Sequence, residues 1–137
     1  MNLTLSTCFV LVHDPEQALA FYRDALGLEV RNDVAREDFR WITVGAASQP
    51  GVAIVLTNYL NGSPADRDAL AALLAKGAIT GVHFHTDDLD AAFEQLRAWG
   101  AEIVEEPTKQ PWGAVDGAVR DPSGNLIRID QPPAAWS

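Results

Sequence analysis

The chain has 137 residues, a formal charge of −9, 47% apolar and 21% charged side chains and a single cysteine. That is the makeup of one globular domain, long enough to bury a core without disulfides or a structural metal. The acidic balance argues against nucleic acid and anionic membrane as partners, since both require a basic footprint. One cysteine excludes an intrachain disulfide framework, the first residues lack the basic start of a secretory leader, and no apolar run approaches the roughly 18 residues of a membrane helix, so the expected location is cytoplasmic.

Residues 3–12 form a β-rich run ending at Asp14-Pro15. Aspartate is a favoured N-cap, and proline suits the first helical position because its missing N–H has no intrahelical partner there. Ala18, Leu19, Tyr22, Ala25 and Leu26 recur at three- and four-residue spacing and predict one amphipathic helix, closed by Gly27 in a left-handed cap. Cys8, inside the first strand, is predicted to be a small buried core residue. Three strands are predicted next, at 28–34, 39–44 and 52–57, separated by turn-rich stretches at 36–38 and 45–51. Asn61-Gly62-Ser63-Pro64 then opens a connection with a short helix over 66–76, capped by Gly77.

From there the pattern recurs. A second apolar run leads into Asp87-Asp88, and Leu89, Ala92, Phe93, Leu96 and Trp99 mark the face of a second helix, closed by Gly100. Strands follow at 102–105, 113–120 and 125–129, the last two joined through Asp121-Pro122-Ser123-Gly124. Each half reads β-α-β-β-β, which gives an α+β fold in one domain, 1–137, with modules over about 3–60 and 78–132 joined by a 61–77 linker. A unit repeated once in a small domain points to two packed modules with a ligand cleft where they meet.

Asp14, Pro15, Phe21-Tyr22-Arg23-Asp24 and Leu26-Gly27, followed by Gly100, Pro111-Trp112-Gly113 and Asp121-Pro122-Ser123-Gly124-Asn125, make a pattern spanning about residues 5–131. It resembles the vicinal-oxygen-chelate superfamily, which includes glyoxalase I, extradiol dioxygenases, fosfomycin-resistance transferases and bleomycin-resistance binding proteins. The resemblance implies eight strands in two four-stranded halves, a half-open barrel-like cleft with the helices outside, and a homodimer.

In the metal-dependent members, four strands each supply one His, Gln or Glu and leave positions at which a substrate's vicinal oxygens chelate the ion. By the resemblance those positions fall on Thr7, Val55, Gly81 and Arg128. Val55 and Gly81 offer no donor atom, and Arg128 puts a permanent positive charge where the cation belongs. A slip of one residue, to Ser6 or Cys8, Ile54 or Leu56, Thr80 or Val82, and Ile127 or Ile129, restores no ligand set. The expectation is a member without the family's metal and without a cofactor. His83 and His85 alternate with Phe84, so 81, 83 and 85 are predicted to share one strand face. Two readings of the pair stay open: ligands of a displaced metal site, for which the sequence identifies no carboxylate partner, or imidazoles lining a polar cleft or satisfied at a strand end. His13, beside the helix cap, is predicted to lie near the surface.

With this register the ligand-binding wall is expected to carry Thr7, Phe9, Leu11, Val55, His83, His85 and Arg128, with Trp41 and Trp112 adding aromatic surface. An inward Arg128 favours a carboxylate, phosphate or carbonyl-rich ligand. The alternatives are plain core roles for Phe9 and Trp41 and a solvent-facing Arg128 paired with an acidic residue. Trp99 is predicted to pack, Trp136 to serve as tail or dimer contact, and Glu16, Glu105 and Glu106 to be solvated charge. The leading functional expectation is a small-molecule-binding protein that sequesters or carries an organic ligand. The rivals are a glyoxalase-like lyase, isomerase or dioxygenase, using either a divalent metal on displaced ligands or His83 as acid–base catalyst, and an interaction module whose cavity is vestigial.

Overall fold

The computed structural model describes residues 1–133. Trp136 lies outside the described residues. The chain divides into two compact units, the first ending at Ala72 and the second beginning at Leu73. Unit 1 contains β1 (Thr7–Leu11), α1 (Pro15–Leu19) continuing into a wider turn (Ala20–Ala25), β2 (Glu29–Arg36), β3 (Phe39–Gly45) and β4 (Ala53–Thr57). Helix α2 (Pro64–Ala75) crosses the division. Unit 2 contains β5 (Thr80–His85), α3 (Leu89–Trp99), β6 (Glu102–Lys109), β7 (Val115–Arg120) and β8 (Leu126–Gln131).

The strands form two separate four-stranded sheets with the same topology, β1-β4-β3-β2 and β5-β8-β7-β6. In each, the strand before the helix pairs in parallel with the last strand of its unit, and the other pairings are antiparallel. The doubled β-α-β-β-β pattern and the α+β class expected from the sequence are both present. Strand β4, buried along its whole length, reads as an uninterrupted apolar run because it is an interior strand. Val12, Ile42, Val44 and Leu56 bury one face of the unit 1 sheet with Phe21 and Tyr22, whose rings meet edge to face at 5.1 Å. Leu89, Phe93, Leu96, Val119 and Ile127 make the corresponding core of unit 2.

Local chemistry fixes the helix ends. Asp14 Oδ1 accepts from the Glu16 and Gln17 amides at 3.0 and 3.3 Å. Of the Asp87-Asp88 pair it is Asp88 that caps α3, accepting from the Ala91 amide at 3.0 Å. Gly100, at φ +95°, ends α3 and lets the Ala101 amide reach the Leu96 carbonyl at 3.0 Å. The first helix is not the uniform one expected. From Ala20 it widens, and the Leu26 amide bonds to the Phe21 carbonyl five residues back. One residue more separates Asp14 from Gly27 than separates Asp88 from Gly100, and the wide turn takes it up. Apolar spacing of three and four residues does not register such a change in pitch.

Other boundaries move for physical reasons. Strand β6 runs on to Lys109, past Pro107, because it is an edge strand whose pairing with β7 is irregular on both sides of Glu105. Strand β8 continues past Ile129 to Gln131. Cys8 is exposed rather than buried. By alternation it shares the side of Val10 and Val12, but it sits at the start of edge strand β1, where the chain leaves it open. Trp99, expected to pack, is 39% exposed at the last position of α3, one turn beyond the buried Leu96.

Glu16, predicted to be solvated charge, is exposed and pairs with Arg40 of β3, which also donates Nε and Nη2 to Asp33 of β2 at 2.9 and 2.6 Å. These hydrogen bonds hold the Asp33 carboxyl below the usual carboxylate range. A lowered pKa contributes stability that is present above the unfolded-state value of about 4 and is lost as pH falls through the folded value. The groups are near the surface, so Arg40→Ala is expected to cost on the order of 0.5 kcal/mol at neutral pH. In thermal melts across pH the gap between variant and wild type should close as the medium is acidified; a gap that widens in acid would contradict the assignment.

Candidate functional site

Cross-strand register sets the faces of the unit 1 sheet. Phe9 lies beside Val55, Val55 beside Thr43, and Trp41 beside Thr57. Paired residues project to the same side, so Thr7, Phe9, Leu11, Trp41 and Val55 share the face opposite Val10, Ile42 and Leu56. Val55 is buried at its base, Thr7 and Leu11 are half-buried, and Phe9 and Trp41 are 61% and 39% exposed. Neither aromatic is a core residue. Their rings meet edge to face at 5.6 Å, and Trp41 continues to Tyr59 at 6.3 Å with the planes tilted by 32°. Tyr59 in turn meets Phe39 edge to face at 5.0 Å. The result is a row of four aromatic rings on one side of the sheet, with Phe9 mostly open and the other three partly covered.

Tyr59 was not singled out from the sequence, although alternation carried past the strand end through Val55 and Thr57 reaches it. Its amide is held by Thr57 Oγ1 at 3.0 Å. Phe39, Leu11 and exposed His13 also border a recess of about 290 Å³, together with Asn58, Leu60 and Arg67. That volume is at the small end for organic ligands.

In unit 2, a bulge in β5 between Thr80 and His83 breaks the alternation expected there. A Cβ on Gly81 would meet Ile127 Cδ1 at 2.9 Å and Asn125 Cβ at 3.1 Å, so position 81 points to the core side with Ile127. His83 and His85 therefore do not share a face with 81. They lie with Arg128 and Asp130, their register partners on β8. Asp130, one residue beyond the predicted end of β8, is buried, and its carboxylate faces both imidazoles. His83 Nε2 is 3.3 Å from Oδ2, and His85 Nδ1 contacts Oδ1.

Arg128 is half-buried and already partnered. Its Nη1 lies 3.4 Å from both Glu105 Oε2 and Asp116 Oδ2, and Asp116 also accepts from Gln110 Nε2 at 2.6 Å. Of the two readings of Arg128, this is the one paired with acidic residues, and the two carboxylates offset part of the charge that an anionic ligand would meet. Glu105 is accordingly half-buried rather than solvated, and Glu106 pairs with Arg97. Trp112 is exposed in the turn between β6 and β7, beside Gly113 at φ +99°.

The metal that the resemblance implies does not fit its four positions. Val55 is buried hydrocarbon, the place of a side chain at Gly81 is taken by Ile127 and Asn125, and Arg128 is a cation committed to two carboxylates. Thr7 alone brings an oxygen, and one hydroxyl holds no divalent ion.

The comparisons with known proteins agree with the fold. The chain is 34% identical to the uncharacterized protein YurT of Bacillus subtilis (strain 168) over 133 residues, covering 96% of this chain and 99% of that protein. Among solved structures, UcmS2 superposes with a TM-score of 0.86 at 35% identity, covering 95% of this chain and 98% of its own. TnmS3, an antibiotic binding protein from Streptomyces sp. CB03234, gives 0.75 at 26% identity, with 96% and 98% covered. The model of the Glyoxalase/Bleomycin resistance protein/Dioxygenase superfamily matches residues 4–129. With two copies of the same sheet topology and a family match across nearly its whole length, the chain belongs to the glyoxalase/bleomycin resistance protein/dioxygenase superfamily.

Proposed function

We propose that this protein binds an organic molecule carrying a planar aromatic ring system, and sequesters or carries it without the family's metal. The observation that supports this reading is the row Phe9, Trp41, Tyr59 and Phe39 on the open face of the unit 1 sheet. Exposed rings anchored on a sheet lose little conformational entropy when a flat ligand stacks on them, and they supply large apolar area. The likeness to TnmS3 points the same way, since that protein is described as antibiotic binding. Because Arg128 is paired with acidic residues within the chain, the ligand is expected to be held by stacking rather than by a carboxylate.

The test is a fluorescence titration with polycyclic compounds of the acridine and phenazine type. Saturable binding without chemical change of the ligand is expected. Trp41→Ala should weaken it by about 30-fold, the effect of a buried aromatic anchor worth about 2 kcal/mol, and Phe9→Ala by less. Unchanged affinity in both variants would remove the platform from the reading, and turnover of the ligand would replace it with an enzymatic one.

A further inference from the structure

We propose that His83, His85 and Asp130 bind one divalent transition-metal ion, at a site distinct from the four positions where the family holds its metal. Each of the three side chains offers one ligand atom, and these atoms all lie within 4.8 Å of one another. An ion at about 2.0–2.2 Å from imidazole nitrogen and carboxylate oxygen holds its donors roughly 3–3.5 Å apart. Side-chain rotation is the movement available for closing that difference, since the strands are paired. The imidazoles are 54% and 72% exposed and already rest against Asp130, while the parallel ladder sets His85 against Asp130 and His83 against Arg128.

The surroundings suit a cation. Asp130 is the rigid member: it is only 12% exposed in its side chain and lies on an interior strand. Arg128, two residues earlier on the same face, is drawn towards Asp116 on β7 and Glu105 on β6, away from β5 and the two histidines. The guanidinium of Arg128 thus has carboxylates beside it on the side of β7 and β6. The bulge in β5 matters here as well, because it brings His83 onto the face of Asp130 while turning Gly81 to the core.

Two nitrogens and one oxygen select late first-row ions such as Zn²⁺, Co²⁺ and Ni²⁺, or Fe²⁺, over Mg²⁺ and Ca²⁺, which favour all-oxygen shells. Three protein ligands leave coordination positions open towards solvent, for water or for oxygen donors of a small molecule. This site stands independently of the aromatic platform in unit 1.

The experiment uses the full chain without a histidine tag, stripped by chelator and titrated with Co²⁺ by visible absorption and with Zn²⁺ by competition against a chromophoric chelator. One ion per chain is expected, with no competition from Mg²⁺. His83→Ala, His85→Ala and Asp130→Asn should each weaken binding by more than the ~10–100-fold that loss of an outer-shell partner costs, while His13→Ala leaves it unchanged. Sub-stoichiometric binding, or full affinity in His85→Ala and Asp130→Asn, would overturn the assignment. Should Asp130→Asn disturb β8, proton spectra of the wild type decide: Co²⁺ is expected to shift and broaden the ring signals of His83 and His85 at one equivalent. Ring signals of His83 and His85 left unperturbed at one equivalent count against the site. Repeating the acridine titration in excess chelator separates the two proposals, since binding at Trp41 is expected to persist without metal.

Discussion

Asp121→Ala is expected to destabilise the protein by about 4 kcal/mol, because one carboxylate organises the whole β7–β8 connection. Asp121 Oδ1 accepts from the amides of Ser123, Gly124 and Asn125 at 3.0, 2.9 and 2.9 Å. Its Oδ2 accepts from Asn125 Nδ2 at 2.8 Å. Asp121, Ser123 and Asn125 are all buried, so truncation strands amide donors that water reaches poorly. Each such orphan costs about 1–3 kcal/mol, and bonds to a charged acceptor are the stronger kind. Asp121→Asn keeps the shape but loses the charge and exchanges one acceptor for a donor, so it should cost roughly half as much. Urea unfolding measures both, with the midpoint shifting and the slope unchanged. A loss below about 1 kcal/mol for alanine would mean that water replaces the carboxylate and that the turn is held by its backbone alone.

Gly117→Ala is expected to cost about 3 kcal/mol, by crowding rather than by backbone strain. A Cβ at 117 would stand 2.4 Å from Phe93 Cζ and 2.9 Å from the Glu105 carbonyl oxygen. Phe93 is wholly buried beneath α3 and has nowhere to retreat, and the Glu105 oxygen belongs to the neighbouring strand. The glycine is thus a socket for the phenyl ring. Phe93→Leu alone should destabilise, yet in the Gly117→Ala background it should recover part of the loss, because leucine is shorter where the methyl intrudes. A double-mutant cycle reads this directly, and strictly additive losses would sever the pair.

The parts of this molecule legible in the sequence are those decided by neighbours in the chain. Asp14, Pro15, Gly27, Asp88 and Gly100 each act within one turn of helix, and the doubled β-α-β-β-β order follows from them. The open face carrying Phe9 and Trp41 was legible too, because alternation along a regular strand is a local rule. The features that escaped depend on partners distant in sequence. Whether β8 ends at Ile129 or continues to Asp130 is settled by its ladder to β5, more than forty residues away. The bulge that separates Gly81 from His83 is likewise a property of the pair of strands and not of either one. That is why the histidines were seen and their carboxylate was not. Arg128 illustrates the same limit, since its two counterions come from β6 and β7.

The widened turn in α1 lets helical spans of unequal length close alike in the two units. Insertions in proteins usually collect in loops, where an extra residue displaces nothing. Here the surplus residue sits inside a helix, and both punctuation marks, the aspartate that starts it and the glycine that stops it, keep their roles. A straight helix given one more residue would rotate its stop signal by about 100° and swing the following strand off the sheet. Loosening the coil for one turn cancels that rotation. The wide turn thus lets a thirteen-residue span in one unit and a twelve-residue span in the other both end on a left-handed glycine.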